Sequence, residues 1–321
     1  MPEPLDRSTI WPYDADGEPR DFYYQRFGSP TVAAAEAAVG GLDGGTALLF
    51  PSGSAATTAL ALSLLGPRDT VALAAGCYYG TGLTFAALAR WGLQVVEFDQ
   101  TGPPPDGVQL VWLEAPSNPY LSMPDLEAAA ARPAPVAVDS TVATPVHLRP
   151  LEHGADFVLH SATKYLAGHD DALLGALVCR EEQAAEKLRT FRGITGSVAA
   201  PDAAWLLLRG LKTLELRVRR QTETAGLFAE RLRDHPAVET VRYPGLGGLL
   251  SFDVADAETA RKVETSTHVI VNASSLGGVT TSIESRRRWE GDRVPPGLLR
   301  LSAGLEDPET LWADLEPALE A

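Results

Sequence analysis

The chain has 321 residues, of which 45% are hydrophobic, so it can bury a large core and is expected to form two domains. Its formal net charge of -15 argues against nucleic acids and anionic membranes as partners, because both are negatively charged. Two cysteines, Cys77 and Cys179, are too few for a disulfide framework. The six histidines show no metal-ligand spacing with carboxylates or cysteines, so we expect no metal.

Targeting segments are not evident in the sequence. Residues 1–7 contain neither the basic nor the apolar segment of a signal peptide. No apolar run approaches the roughly 18 residues that a membrane span needs. These features predict a cytoplasmic protein without a membrane partner.

Short apolar stretches alternate with helical stretches through the first two thirds of the chain. Residues 1–32 are polar, aromatic and rich in turn formers, which predicts an N-terminal arm. The alternation that follows indicates an α/β fold with a mostly parallel sheet covered by helices on both faces. Buried strands are predicted at residues 46–50, 70–74, 94–98, 108–113, 136–138 and 157–159, and helices at 32–39 and 54–65.

The last third of the chain has a different pattern. One helical tract is predicted from residue 203 to about residue 233, as a bridge between domains. The predicted division is an arm (1–32), a larger domain (33–212) and a smaller C-terminal α+β domain (213–321). Within the last of these, strands are predicted at 240–243, 249–254 and 269–271, with a helix near 257–263 and another at the C-terminus.

Lys164 is distinctive because lysine is scarce in this chain, where only Lys187, Lys212 and Lys262 accompany it. It follows the predicted strand at 157–159 and lies among small polar residues. Loss of water lowers the pKa of an amine toward neutrality, which suits a Schiff-base nucleophile. The alternative is a structural lysine whose amine reaches solvent from a strand end.

Two further features suit a pyridoxal phosphate enzyme. Gly53 and Ser54 lie where a predicted strand turns into a helix, and backbone N–H groups at a helix start bind anions such as phosphate. Asp139 ends a buried apolar strand, where a carboxylate can pair with a protonated pyridine nitrogen. Each has a plainer alternative, because Gly53 also suits a simple turn and Asp139 a helix cap.

Tyr79 and Arg300 complete the pattern. Tyr79 stands beside glycines in Cys77-Tyr-Tyr-Gly-Thr-Gly82, so its ring can lie flat against a planar cofactor. For Tyr78 we expect a core position. Arg300 begins a predicted apolar strand, and arginine captures the carboxylate of an amino acid with two parallel hydrogen bonds. A lone arginine is more often a surface residue.

Together these motifs resemble the Cys/Met-metabolism family of pyridoxal phosphate enzymes, from about Tyr23 to Asp307. That family includes cystathionine γ-lyase, cystathionine γ-synthase, methionine γ-lyase and homoserine sulfhydrylases. The resemblance implies an aspartate-aminotransferase-like large domain of fold type I at 33–212, with pyridoxal 5'-phosphate as its cofactor. The motifs are Ser161-Ala-Thr-Lys-Tyr165 with Gly168-His169, Glu114-Ala-Pro-Ser-Asn-Pro119, Arg209-Gly-Leu-Lys-Thr-Leu214, Ser275-Leu-Gly-Gly278 and Arg300-Leu-Ser-Ala-Gly-Leu-Glu-Asp307.

The resemblance also implies roles for single residues. Lys164 would form the Schiff base with the cofactor and move protons. Asp139 would pair with the pyridine nitrogen, and Tyr79 would stack on the ring and act as an acid or base. Asn118 would lie near the phenolic oxygen of the ring. The anion-binding residues would be Gly53, Ser54, Ser161 and Thr163 for the cofactor phosphate, and Ser275 and Arg300 for the substrate carboxylate.

Tyr24 and Arg26 match an arm that in the family reaches the phosphate bound in a neighbouring subunit. The resemblance therefore implies a homo-oligomer, dimeric or tetrameric, with shared active sites. The alternative for both residues is a flexible aromatic N-terminus.

The chain departs from the family in length and in its substrate-facing segments. It is shorter, with a clipped arm and without the loop that normally follows Tyr243-Pro-Gly-Leu246. After Ser275-Leu-Gly-Gly-Val279 the family often has a glutamate and then a histidine–proline pair, whereas this chain has Thr280 and later Ser285-Arg-Arg-Arg-Trp289. These positions border the distal end of the substrate in relatives. Thr81 stands where methionine γ-lyases carry a cysteine, which disfavours that activity.

The function that this resemblance implies is a reaction on a sulfur amino acid, and we expect elimination of the cystathionine γ-lyase type, as in transsulfuration. One alternative is γ-replacement by a transferase, either a cystathionine γ-synthase or an O-acylhomoserine sulfhydrylase. Another is a non-catalytic descendant that keeps the fold as a binding subunit. A scaffold, however, has no need of Lys164, Asp139, Tyr79 and Arg300 together.

Overall fold

The computed structural model describes residues 4–320, and its larger β-sheet has seven strands. These are β1 (Thr46–Phe50), β2 (Thr70–Ala74), β3 (Gln94–Phe98), β4 (Leu110–Glu114), β5 (Val136–Asp139), β6 (Phe157–His160) and β7 (Gly175–Cys179). Their order across the sheet is β1-β7-β6-β5-β4-β2-β3. All run in one direction except β7, which pairs antiparallel with β1 and β6. The predicted α/β fold with a mostly parallel sheet is confirmed.

Helices cover both faces of this sheet. They are α1 (Pro30–Asp43), α2 (Gly53–Leu64), α3 (Tyr79–Ala89), α4 (Leu126–Ala130), α5 (Thr144–His147), α6 (Glu182–Thr195) and α7 (Pro201–Leu211), with a 3-10 helix at Pro150–His153. Strands β4 to β7 are buried along their whole length, because they carry apolar side chains on both faces. Val158 packs in the cluster that contains α1 and α7, whereas its neighbour Leu159 packs in the cluster that contains α2 and α3.

The long helix α8 (Leu214–Arg233) leads into a second sheet of five strands. Its strands are β8 (Thr240–Arg242), β9 (Leu249–Asp253), β10 (Val271–Asn272), β11 (Ser282–Ser285) and β12 (Leu298–Ser302), in the order β10-β11-β12-β9-β8. Helices α9 (Ala257–Ser266), α10 (Arg287–Glu290) and α11 (Pro308–Glu320) accompany it, with a 3-10 helix at Gly291–Arg293. The hydrophobic core between this sheet and its helices includes Phe228, Phe252 and Leu315. Within residues 4–320, no helix combines the length and apolarity that crossing a membrane requires.

The single helix predicted at 203–233 is two helices, α7 and α8, separated by two residues. The carbonyl of Gly210 accepts the N–H of Thr213 at 3.1 Å and Nη2 of the buried Arg217 at 2.8 Å. Nη1 of Arg217 donates to the carbonyl of Tyr165 at 2.8 Å. A tertiary contact therefore ends α7 where local helix propensity continues. The break falls at the predicted domain boundary, although the domain division itself stays a prediction.

Two strand predictions need correction. The prediction that β3 is buried is wrong, because β3 is the edge strand of its sheet and Val96 is 44% exposed. The strand predicted at 269–271 begins only at Val271. The carboxylate of Asp314 accepts the backbone N–H groups of Val269 at 2.9 Å and Ile270 at 2.8 Å, which removes them from a ladder. Strands β7 and β11 had no counterpart in the sequence prediction.

A buried ion pair joins α1 to β6. Oδ2 of Asp43 lies 2.9 Å from Nε2 of His160, and both side chains are fully buried. Burial opposes protonation of His160, but the Asp43 carboxylate outweighs this effect and raises the pKa of the imidazole. The stabilisation is therefore complete below the unfolded-state pKa of about 6.5 and is lost as the pH rises through the higher folded-state pKa.

We expect Asp43→Asn to lower the free energy of unfolding by about 3–5 kcal/mol near pH 6, because it leaves a buried charge without its partner. The loss should be smaller near pH 9, because raising the pH toward and through the raised pKa of His160 removes charge from the imidazole in the native protein as well. Urea unfolding at both pH values measures the difference. Asp125→Asn serves as the control, since Asp125 is exposed and asparagine also caps α4. An equal loss at both pH values would contradict this linkage.

Candidate active site

One cavity lies at the carboxyl ends of the central strands of the larger sheet, where α/β sheets place their ligand sites. Residues of β12 and of the segment before β11 close its other side. Ten of the twelve predicted site residues line it: Gly53, Ser54, Tyr79, Asn118, Asp139, Ser161, Thr163, Lys164, Ser275 and Arg300. Tyr24 and Arg26 do not. The structure thus brings the ten together, while their individual roles stay predictions.

Lys164 follows β6, and its amine lies inside the cavity. Nζ donates a hydrogen bond to Oγ of Ser275 at 2.7 Å. Burial lowers the pKa of the amine, and the nearby Arg300 guanidinium lowers it further. A larger fraction of the amine is therefore unprotonated than for a lysine in water, which favours nucleophilic attack. The alternative of a structural lysine that reaches out to solvent does not fit this position.

The partner of this amine is held in an unusual backbone conformation. Ser275 has a φ of +101°, a backbone conformation that residues other than glycine rarely adopt. Nη2 of Arg300 donates to the carbonyl of Ser275 at 3.0 Å and helps to hold this conformation. Residues in such conformations concentrate at functional sites, because the surrounding structure has to maintain them.

Asp139 ends β5 and is only 7% exposed. Its Oδ1 accepts the backbone N–H of Thr141 at 3.0 Å and the Thr141 hydroxyl at 2.5 Å. No donor within residues 4–320 contacts Oδ2, and the residue lines the cavity. Burial raises the pKa of the carboxyl group, which the Thr141 hydrogen bonds partly offset. Asp139 therefore caps its own turn with one oxygen and offers the other to the cavity.

The start of α2 forms one end of the cavity. Ser52 caps the helix by accepting the N–H of Ala55 at 3.1 Å, which leaves the N–H groups of Gly53 and Ser54 without helical partners. A Cβ on Gly53 would lie 3.2 Å from Cβ of Ser161, a close contact that glycine avoids. Unpaired N–H groups at the positive end of a helix dipole form an anion site.

The hydroxyl of Thr163 already has hydrogen-bond partners within the chain, and its role at the phosphate stays a prediction. Its hydroxyl donates to the carbonyl of Leu174 at 3.1 Å and accepts the N–H of Leu174 at 2.9 Å. A hydroxyl has one hydrogen, so donation to a phosphate would require Thr163 to give up the first of these bonds. Ser161 carries no such commitment on its hydroxyl, while its backbone N–H donates to Oγ1 of Thr141 at 2.8 Å.

Arg300 lies in the middle of β12 and is only 4% exposed, so neither its expected position at a strand start nor the surface alternative is correct. Nη1 donates to Oδ1 of Asn118 at 2.9 Å, and Nη2 also contacts Oε2 of Glu284 at 3.2 Å. Burial lowers the pKa of Arg300 to about 10, and the neighbouring guanidinium of Arg286 contributes. The group stays a cation at neutral pH and can receive a carboxylate.

The two neighbouring tyrosines both line the cavity. Tyr79 begins α3, and the rings of Tyr78 and Tyr79 meet edge to face with centroids 4.8 Å apart. The expectation that Tyr78 is a core residue is wrong, since it is 36% exposed.

Two charged residues in the cavity wall have no counterpart among the predicted site residues. Glu114 ends β4 and accepts the backbone N–H of Tyr78 at 2.5 Å. Burial and the nearby Asp139 raise its pKa well above the usual range. The second is Arg286, whose Cζ lies 5.7 Å from the centroid of the Tyr79 ring. The sequence signal for Arg286 was its place in the segment that departs from the family pattern.

Tyr24 and Arg26 contact other parts of their own chain. Tyr24 forms an isolated bridge with Ile10, and Nη1 of Arg26 donates to the carbonyl of Gly193 in α6 at 2.6 Å. Their reach into a neighbouring subunit stays a prediction. Within residues 4–320, no group of three histidine, cysteine, aspartate or glutamate side chains is placed to hold a metal ion.

Named bacterial proteins are similar to this chain over nearly its whole length. The chain is 38% identical, over an alignment 361 positions long, to a putative cystathionine gamma-lyase of Streptomyces coelicolor, and the alignment covers 100% of this chain and 91% of that protein. It is 41% identical over 351 residues to an L-methionine gamma-lyase of Streptomyces avermitilis, covering 98% and 84%.

Solved structures agree with the sequence relatives. A cystathionine gamma synthase from Xanthomonas oryzae, solved with aminoacrylate and cysteine, superposes with a TM-score of 0.94 at 32% identity, covering 99% of this chain and 92% of that one. The family model of Cys/Met metabolism PLP-dependent enzymes matches residues 1–320. The cavity, the fold and these similarities lead to one conclusion: the chain belongs to the Cys/Met-metabolism family of enzymes that depend on pyridoxal phosphate.

Proposed function

We propose that the protein is a carbon–sulfur lyase that removes a sulfur substituent from the γ carbon of an amino acid, as cystathionine γ-lyase does. The observation that carries the proposal is the Lys164 amine, desolvated and hydrogen-bonded to Ser275 in one cavity with Asp139 and Arg300. Such an amine is a nucleophile toward an aldehyde and a base once it is free.

The residues present fit pyridoxal 5'-phosphate. Oδ2 of Asp139 is open to the cavity and suits a protonated ring nitrogen. The unpaired N–H groups of Gly53 and Ser54 suit a phosphate. When bound, the cofactor supplies an aldehyde that bonds to amines and a ring that withdraws electrons from the α carbon of the substrate.

The side chains of the cavity bind the substrate and transfer protons. Arg300 and the Ser275 hydroxyl hold the substrate carboxylate, which orients the α proton toward Lys164. Lys164 accepts that proton and later returns it. Asp139 keeps a proton on the ring nitrogen, and the Tyr79 hydroxyl donates one to the departing sulfur. Acid–base steps of this kind contribute roughly 10² to 10⁴ each to the rate.

Purified protein supplied with pyridoxal 5'-phosphate and cystathionine tests the proposal. We expect release of cysteine, ammonia and 2-oxobutanoate in equal amounts. Lys164→Ala, prepared in the same way, is the control. Release no greater than that of the control refutes the lyase activity.

A γ-replacement transferase is the second candidate, because it requires the same binding and proton-abstraction residues, and one similar structure is named a cystathionine gamma synthase. Turnover that needs an acylated homoserine together with a thiol would favour it over the lyase. Methionine should be assayed as a further substrate, since Thr81 disfavours methionine γ-lyase activity, whereas a similar protein is named an L-methionine gamma-lyase. A protein that stays colourless with added cofactor would instead indicate a non-catalytic descendant.

We also propose that the working enzyme is a cytoplasmic homo-oligomer in which Tyr24 and Arg26 complete the site of a neighbouring subunit. Both residues lie outside the cavity of their own chain, and Tyr24 is 39% exposed. An arm that serves a neighbour has these properties, since its binding side chains point away from its own site.

A further inference from the structure

Arg286 is a charged residue of the cavity to which the proposed function gives no role. It lines the cavity yet is only 1% exposed, and it lies in the connection from β11 to β12. Burying an arginine is costly unless its N–H groups have hydrogen-bond acceptors. The acceptors around Arg286 therefore show which of its N–H groups are left for a ligand.

The guanidinium of Arg286 is held by two carboxylates. Nη1 donates to Oε2 of Glu284 at 2.7 Å, and Nε and Nη2 donate to Oε1 of Glu290 at 3.1 and 3.0 Å. A guanidinium has five N–H groups. These three bonds leave one N–H on Nη1 and one on Nη2 for a ligand.

The segment that carries Arg286 is itself firmly held. The backbone N–H of Ser285 donates to the buried carboxylate of Glu264 at 2.5 Å, and that of Arg286 donates to the carbonyl of Leu298 at 3.1 Å. Nε1 of Trp289 donates to Oε1 of Glu284 at 2.5 Å, which fixes the carboxylate that orients Arg286. Little side-chain entropy is therefore left to lose on binding a ligand.

Arg286 lies next to the proposed carboxylate site. Oε2 of Glu284 accepts hydrogen bonds from both Arg286 and Arg300, so the two guanidinium groups share one oxygen. Cζ of Arg286 is also 5.7 Å from the ring centroid of Tyr79, the proposed proton donor to the leaving group. Arg286 thus lies beside both Arg300, the proposed binder of the α-carboxylate, and Tyr79, the proposed proton donor to the γ substituent.

We propose that Arg286 is a specificity-determining residue that binds a carboxylate on the γ substituent of the substrate. The preferred substrates are then amino acids with a second acid group beyond the γ atom, such as cystathionine or a homoserine esterified with a dicarboxylic acid. This proposal rests on the proposed function, since it takes Arg300 as the binder of the α-carboxylate.

Arg286 would distinguish substrates with a distal carboxylate from those without one by hydrogen bonding more than by electrostatic attraction. Arg286, Arg300, Glu284 and Glu290 have no net formal charge, so the cluster is not a general anion trap. A substrate with an apolar end, such as methionine, would cover the two remaining N–H groups of Arg286 and give them no acceptor. A site whose buried donors hydrogen-bond a substrate rejects analogues that lack the acceptor, because those donors are then left unpaired.

The test measures binding to the holoenzyme by the change in cofactor absorbance, with two probes of equal chain length. L-α-aminoadipate ends in a carboxylate, and L-norleucine ends in a methyl group. We expect aminoadipate to bind more tightly. Arg286→Lys keeps the charge that balances Glu284 and Glu290 but loses the planar fork. It should weaken aminoadipate binding about 10- to 100-fold and norleucine binding by less than about threefold.

Arg287→Lys is the matched control, because Arg287 is the adjacent arginine, is one third exposed and pairs with Asp292. It should change neither affinity. Equal weakening of both probes by Arg286→Lys would mean that Arg286 only maintains the structure or binds the α-carboxylate, and would overturn the proposal. So would equal affinity of the wild-type protein for both probes, a result that needs no folded variant.

Turnover of cystathionine and of O-succinylhomoserine by Arg286→Lys then distinguishes the two sources of a second carboxylate. The substrate for which kcat/KM falls about 10- to 100-fold is the one whose carboxylate meets Arg286. A fall for neither, with the wild type active on both, also contradicts the proposal. Because the binding test needs no elimination, its outcome is independent of whether the lyase reaction occurs.

Discussion

Replacement of Lys164 by alanine is expected to reduce turnover of the natural substrate by at least about 10²- to 10⁴-fold, because it removes both the covalent anchor and the base. The desolvated amine and its hydrogen bond to Ser275 single it out among the four lysines. Borohydride reduction of the wild-type holoenzyme followed by peptide mapping should find the cofactor mass on the peptide that contains residue 164. The same peptide of the variant should be unlabelled.

Lys187→Ala is the control for this experiment, since Lys187 is an exposed lysine on α6. It should keep wild-type turnover and the label on residue 164. Label on another lysine in the wild-type protein, or undiminished turnover by Lys164→Ala, would falsify the assignment.

Asp139→Asn is expected to separate activity from stability. Asparagine keeps the Oδ1 acceptor that Thr141 needs, but it cannot hold a proton on the ring nitrogen. Turnover should therefore fall by roughly 10²- to 10⁴-fold, as when a group that holds a catalytic proton is lost. The cofactor should still bind through Lys164 and the α2 N-terminus.

The apoenzyme of Asp139→Asn should nevertheless be more stable than wild-type apoenzyme at neutral pH. Burial raises the pKa of Asp139 in the folded state, so the ionised carboxylate favours unfolding once the pH exceeds the unfolded-state value of about 3.9. The difference should vanish below that pH, where both states are protonated. Urea unfolding of the two apoenzymes across the pH range measures it, with Asp125→Asn as control. A less stable variant at neutral pH would show that the carboxylate is a structural element.

The function class and most of the site were accessible from local sequence. The segment from Ser161 to Tyr165, the strand-end Asp139 and the turn at Gly53 each consist of neighbours along the chain, and their chemistry follows from residue type and order. The α/β fold was accessible for the same reason, because alternation of apolar strands with helices is a periodic pattern.

Contacts between distant residues were not accessible. Arg300 meets Asn118 across 182 positions, and nothing near either residue predicts the other. The hydroxyl of Thr163 is engaged by Leu174 in a neighbouring segment, which a motif cannot reveal. The break between α7 and α8 likewise depends on a tertiary contact, in which Arg217 donates a hydrogen bond to the carbonyl of Tyr165.

Residue order along the chain was enough to predict a Schiff-base lysine at position 164 and an α/β fold with a mostly parallel sheet, since both predictions rest on short-range order and on the period of apolar residues. Which charged groups share the cavity depends on how the chain packs. Arg286 illustrates the difference: its neighbours Arg287 and Arg288 have the same composition around them, and the fold alone buries Arg286 against Glu284 while the side chains of the other two stay partly exposed. Burial depends on how the whole chain packs, and it makes Arg286 part of the cavity wall. Sequence alone does not distinguish Arg286 from Arg287 and Arg288.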